Sequence, residues 1–284
     1  MASQHRLKTT PRVVYTLPEM QNSTVRKNVT YKTVEDTELQ LDVYYPASHR
    51  KGQRLPAVIL IHGDGSVEDL RAIKDGGQYE AWGQLISASG IIAITANHRS
   101  TEALTNVAGV ANDIDDLITY VRDHNESLQI HEEALGIWIC SAGGPMGLRA
   151  ALYDTPPYVR CIVCYYTLAD LKTYYDGLYS TTRNGSEQIT PLFTEDDFEE
   201  FSAVSLLQRR SGNVPPIFIA RAGLDNPLLN ESLEAFVSEA IAQNVEVDFM
   251  NHPTGQHGFD ILNDDPRSHE IIRRSLEFMQ THLL

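Results

Sequence analysis

Between Val25 and Tyr45 two runs alternate apolar with polar positions, Val29 to Val34 and Leu39 to Tyr45, around the turn-like Glu35-Asp36-Thr37-Glu38. A period of two marks a half-buried strand, so these runs predict an antiparallel hairpin that Pro46 ends. The rhythm then changes. Pro56-Ala57-Val58-Ile59-Leu60-Ile61 is apolar without interruption, and so are Ile91 to Ala96, Gly136 to Cys140 and the middle of Val159 to Tyr166. Unbroken runs of this length predict parallel strands covered on both faces. Further strands are predicted over Pro216 to Ala220 and Val245 to Met250.

Helical spacing fills the gaps between strands. Val107, Val110, Ile114, Leu117, Ile118 and Val121 recur at three and four, with Asp113, Asp115, Asp116 and Arg122 expected on the opposite, solvent-facing side. Helices are also predicted over Tyr79 to Ser89, Ala142 to Tyr153, a stretch carrying Leu233, Phe236, Val237, Ala240 and Ile241, and Ser268 to Leu283. Strand and helix alternate, which predicts an α/β fold with a mostly parallel, doubly wound sheet and helices on both faces. From Leu171 to Asn213 the alternation breaks into tyrosines, a polar loop over Ser180 to Gln188, and an acidic helix start at Thr194-Glu195-Asp196-Asp197. That stretch is too short for a core of its own, so residues 1–284 read as one domain with 171–213 as a lid or cap insertion.

Composition narrows the partners. The 284 residues carry a formal charge of -15, which repels nucleic acid and anionic membrane surfaces, so neither is an expected partner. Met1 to Lys8 has charges with no apolar core behind them, and the expected location is cytoplasmic. Cys140, Cys161 and Cys164 lie in apolar runs and read as core residues. In a strand, positions three apart face opposite sides, which argues against a joint redox or metal role for Cys161 and Cys164.

One stretch carries the chemistry. Gly136 to Cys140 ends in Ser141-Ala142-Gly143-Gly144-Pro145-Met146-Gly147, a buried strand turning at once into a helix through small residues. A serine at such a corner projects its hydroxyl with room for a substrate to approach. Gly-x-Ser-x-Gly is the usual pattern, and Ile139 stands here in place of its first glycine. Ligands in open α/β sheets bind beyond the carboxyl ends of strands, where Asp225 and His257 also fall. Serine needs a base to become a nucleophile, imidazole suits that task, and a carboxylate fixes the imidazole's tautomer. Asp248 and Asp260 are rival acids; the first lies within a strand, the second too near His257 in sequence to reach around its ring.

These pieces resemble the α/β-hydrolase superfamily, in particular its dienelactone-hydrolase-like serine esterases. The matching motifs are His62-Gly63-Asp64-Gly65, Cys140-Ser141-Ala142-Gly143-Gly144, Ala222-Gly223-Leu224-Asp225 and Gln256-His257-Gly258-Phe259. The resemblance implies the α/β-hydrolase fold and hydrolysis of a small carboxylic ester without metal or organic cofactor. It assigns Ser141 as nucleophile, His257 as general base and acid, Asp225 as its orienter, and an oxyanion hole from the backbone of Ala142 with Asp64 or Gly65. Asp64 stands where relatives often have glycine, and its carboxylate is expected to narrow the site or select a substrate group. His62 is expected to shape its loop. A catalytically silent binding protein, a hydrolase of lactones, thioesters or peptides, and a homodimer all stay open.

Overall fold

A computed structural model of the chain describes residues 11–182, 193–210 and 212–284. Residues 1–10 of the lead-in, and Arg183 to Gln188 of the polar loop, fall outside them. Eight strands form one sheet: β1 (Thr24–Val34), β2 (Thr37–Tyr45), β3 (Leu55–Ile61), β4 (Ile92–Ala96), β5 (Ile130–Cys140), β6 (Val159–Tyr165), β7 (Ile217–Ala222) and β8 (Val247–His252). Their order is β1-β2-β4-β3-β5-β6-β7-β8. The hairpin β1/β2 and the β2/β4 pair are antiparallel, and every pair from β4 to β8 is parallel. The fold is that of the α/β-hydrolases, with an antiparallel N-terminal hairpin on a parallel sheet.

The main helices are α1 (Gly77–Ala88), α2 (Val107–Asp123), α3 (Gly144–Leu152), α4 (Leu171–Thr182), α5 (Glu195–Phe201), α6 (Ala203–Arg209), α7 (Pro227–Ala242), α8 (Phe259–Leu262) and α9 (Pro266–Leu283). Alternation along the strands divides the core in two. One face joins Ile59, Ile137, Ile139 and Cys164 to apolar residues of α2, α3 and α7. The other joins Trp138, Cys140, Cys161, Tyr165 and Phe218 to Trp82 of α1 and to α9. Cys161 and Cys164 therefore point to opposite sides of β6, and all three cysteines are free and buried.

Several boundaries differ from expectation. β1 starts at Thr24 and β5 at Ile130, because antiparallel pairing with β2 and the Leu55–Ile130 register extend them past their apolar cores. β7 runs two residues further, to Ala222, and pairing with His252 carries it there. The capping box of Thr194 and Asp197 opens α5. Asp113 is the larger correction. It does not face solvent from α2 but is fully buried, and it holds the Arg99 guanidinium at 2.8 Å and the Lys32 ammonium at 2.8 Å. Periodicity assigned it by polarity alone, and two cations brought from other elements make its burial tolerable.

Candidate active site

The elbow is built by close backbone approach. Ser141 follows Cys140 of β5 with φ at +51°, a left-handed conformation that a serine adopts only when its surroundings enforce it. Its carbonyl accepts the Leu168 N–H at 2.9 Å. A Cβ on Gly144 would lie 1.8 Å from the Leu168 oxygen, and one on Gly143 would lie 2.4 Å from the His62 oxygen. Both glycines are there because backbone from two other strand ends occupies their side-chain space.

Ile139 finds its room in the next turn. A Cβ on Gly147 would meet Ile139 Cδ1 and Cγ1 at 2.9 Å, so the bulk on the strand is matched by an absence on α3. Gly147, eight positions along the chain, leaves the space that Ile139 fills. Cys140, one residue from Ser141, points to the opposite face and lies 3.3 Å from the Tyr79 hydroxyl. Burial pushes its thiol up to about 12, which keeps it protonated and inert.

Asp225 follows β7 by three residues, and His257 lies in the loop between β8 and α8. His257 Nε2 is 2.9 Å from Ser141 Oγ, and its Nδ1 is 2.8 Å from Asp225 Oδ2. The Asp225 side chain is 4% exposed, while that of His257 is 41% exposed. The second carboxylate oxygen accepts the Asn226 N–H at 2.7 Å. The Leu224 N–H donates to the Gly255 carbonyl at 2.8 Å, which ties the loops of the acid and the histidine together.

The rival acids go elsewhere. Asp248 pairs with Arg274 at the surface. Asp260 is fully buried and accepts from Trp82 Nε1 at 2.9 Å, Gln78 Nε2 at 3.0 Å and the Tyr166 hydroxyl at 2.7 Å. Burial raises its carboxyl above the ordinary range against those hydrogen bonds.

The turn after β3 sits directly over the serine. A Cβ on Gly63, within the His62-Gly63-Asp64-Gly65 motif but given no role of its own there, would lie 2.9 Å from Ser141 Cβ. Asp64 corrects an expectation. Its carboxylate turns away to accept the Ser100 hydroxyl at 2.9 Å, the Thr101 N–H at 3.1 Å and the Thr101 hydroxyl. Burial would raise its pKa, but those donors and the Gly65 N–H hold it below the usual carboxylate range. It tethers the turn to the loop after β4 instead of reaching for substrate.

His62 is buried and its Nε2 accepts the His98 N–H at 3.1 Å, so its proton sits on Nδ1 and is donated to the Gly63 carbonyl at 2.6 Å. The two imidazoles stack at 3.5 Å. Among the described residues no group of three or more His, Cys, Asp or Glu side chains could hold a metal ion, and no helix is long and apolar enough to cross a membrane.

Strand order and elbow together are those of the α/β-hydrolase fold. Residues 41–238 match the sequence model of the family described as BD-FAE. That span is more than half of the chain, which belongs to the BD-FAE family. Solved structures share the fold across nearly its whole length. The native thermophilic esterase Est2 of Thermogutta terrifontis is 17% identical with a TM-score of 0.68, covering 97% of this chain and 96% of that one. An inhibited esterase B from Lactobacillus rhamnosis is 15% identical with a TM-score of 0.70, covering 99% and 93%. At such identities the likeness is one of fold. Among curated proteins, a non-reducing polyketide synthase of Stereocaulon alpinum is 29% identical over 93 residues; the match spans 32% of this chain and 4% of that protein.

Proposed function

We propose that the protein hydrolyses small carboxylic esters through an acyl-enzyme, with Ser141 as nucleophile, His257 as general base and then acid, and Asp225 as the group that orients the imidazole. The observation that carries this is His257 itself, whose two ring nitrogens lie within 2.9 Å of the serine hydroxyl and 2.8 Å of the carboxylate. Asp225 accepts the Nδ1 proton and leaves Nε2 free to accept the serine's. Attack of Ser141 Oγ on the ester carbon moves the hydroxyl proton to Nε2 and creates a tetrahedral oxyanion. Collapse breaks the carbon–alcohol bond, and the imidazolium gives its proton to the departing oxygen. Water then attacks the acyl group in the same way, its proton passing through His257 to Ser141 as the acid leaves.

The oxyanion would be met by the Ala142 N–H, at the start of the helical turn where N–H groups lack intrahelical partners, and by a second donor from the turn after β3. That second donor would be the N–H of Asp64 or of Gly65. Insertion 171–213 would act as a cap. Its helix α4 packs on α7, where a Cβ on Gly177 would meet Leu228 at 2.6 Å, three residues from Asp225. Residues 183–192 and 211 of it lie outside the described part.

The Thermogutta esterase has been solved bound to butyrate and to propionate, and phosphorylated by paraoxon. By similarity, short acyl chains and phosphorylating probes are the place to begin. Ser141→Ala is expected to abolish turnover of a short-chain p-nitrophenyl ester while the protein stays folded; substantial remaining turnover would overturn the assignment. Covalent capture of a fluorophosphonate separates this reading from a silent binding protein, since only an activated serine reacts. Ile139 is no ground for the silent reading, because Gly147 absorbs its bulk.

A further inference from the structure

Tyr166, at the end of β6, touches the surroundings of all three residues assigned to the reaction. Its ring packs against the His257 imidazole, with centroids 4.6 Å apart and planes inclined by 58°. Its N–H donates to the Ala220 carbonyl at 2.8 Å, on the strand that leads to Asp225. Two residues on, the Leu168 N–H holds the Ser141 carbonyl, so the short segment from Tyr166 to Leu168 spans from nucleophile to base.

That span is fixed from below. The Tyr166 hydroxyl donates to Asp260 Oδ1 and accepts from Gln78 Nε2 at 2.8 Å, and both residues belong to the buried network that Trp82 completes. Asp260 has three neutral donors around it and lies three residues after His257, at the start of α8. Tyr166 also has φ at +37°, a conformation costly for an aromatic residue and maintained by its contacts at both ends. A fully buried carboxylate with this placement has no part in the reaction steps, yet it anchors an aromatic ring that lies against the catalytic imidazole.

We propose that Tyr166 and Asp260 are positioning residues: the carboxylate locks the tyrosine, and the tyrosine ring holds His257 in the rotamer that bridges Ser141 and Asp225. His257 needs such a device because its side chain is 41% exposed, and a half-exposed imidazole has rotamers open to it on the solvent side. Displacement of a reacting group by even 1 Å costs up to about a hundred-fold in rate. The proposal rests on the ester-hydrolase reading above.

The test compares Tyr166→Phe, Asp260→Asn and Trp82→Phe in the full chain, alongside Ser141→Ala. Tyr166→Phe removes one hydroxyl and keeps the ring, so it carries the test even where Asp260→Asn does not fold. Trp82→Phe removes a donor from the same carboxylate but leaves the Tyr166–Asp260 bond in place, and serves as the structural control. For Tyr166→Phe, kcat for a short p-nitrophenyl ester and the rate of fluorophosphonate labelling per folded molecule are expected to fall about ten-fold or more with KM within about two-fold. Trp82→Phe is expected to lower Tm while both rates stay near those of the parent. Equal losses in the two variants, or an unchanged kcat in Tyr166→Phe, overturn the positioning role. Retained turnover in Ser141→Ala would instead overturn the hydrolase reading, so the two failures are distinguishable.

Discussion

Around Ser141 the chain packs backbone against backbone, whereas the imidazole ring of His257 is held by other side chains. The elbow depends on atoms that are absent: Gly143 and Gly144 leave space for the carbonyls of His62 and Leu168, and Gly147 leaves space for Ile139. The histidine depends on groups that are present, with Asp225 at one nitrogen and the Tyr166 ring beside it. A crowded backbone admits no alternative conformation, so the nucleophile is held by the stability of the fold itself. A half-exposed imidazole can turn on its own axis without disturbing the core. Damage at the first site should therefore appear as lost stability, and damage at the second as lost rate.

The sharpest test of that contrast is Asp225→Asn. An asparagine amide would donate to Nδ1, leaving the proton on Nε2, where it cannot accept from the serine. Loss of about 10⁴-fold in kcat is expected, with Tm little changed. A fall of less than about ten-fold would remove Asp225 from the orienting role. Gly144→Ala makes the opposite demand, since its Cβ has to displace a backbone oxygen at 1.8 Å. Overpacking against backbone is expected to cost about 3 kcal/mol or more, read as a lower midpoint in urea. A folded Gly144→Ala protein of parental stability would mean that the elbow is less crowded than the structure shows.

This division also explains what could be read from the sequence. Glycines and small residues that follow a buried strand are contiguous, so the elbow was legible as a run, and strand ends made Asp225 and His257 visible in turn. Eight strands with a hairpin at the N-terminus followed from periods of two and from unbroken apolar runs. The network around Asp260 was not legible, because Gln78, Trp82, Tyr166 and Asp260 come from three distant segments and no spacing links them. Its place three residues after His257 presents Asp260 only as a rival partner for that ring. The turned-away carboxylate of Asp64 escaped for the same reason: its donors, Ser100 and Thr101, belong to the loop after β4. Asp113 was misplaced because polarity predicts exposure, and only the tertiary approach of Arg99 and Lys32 reverses it.

A smaller change sharpens the account of Ile139. Ile139→Val removes one methyl group from the contact with Gly147, and about 1 kcal/mol of stability is expected to go with it. The per-molecule labelling rate should stay the same, since the serine's conformation is set by Gly143, Gly144 and Leu168. A slower rate without loss of stability would show that Ile139 acts on the elbow directly.

Acid provides the mildest perturbation, and it too should reach the elbow's side first. His62 and His98 are buried, and burial lowers both pKa values; for His62 the neighbouring His98 lowers it further. A folded pKa below the unfolded value of about 6.5 means that the unfolded chain binds more protons at mildly acidic pH. Their contribution is thus complete above about pH 6.5 and is lost as pH falls toward the folded values. A histidine that stays neutral when folded loses ~0.7 kcal/mol of stability between pH 7 and pH 6. Asp64 and Asp113, whose folded pKa values are lowered, add their losses only below about pH 4. Asp260, raised by burial, works in the other direction, since the folded chain binds its proton more readily. His98→Gln removes one of the two titrations and should flatten the fall of Tm between pH 7 and pH 5. An identical slope in parent and variant would mean that the stacked pair does not set the acid limit. Because the His62 carbonyl is the group packed against Gly143, protonation of the stack would loosen the turn over Ser141 before it disturbed the contacts of His257.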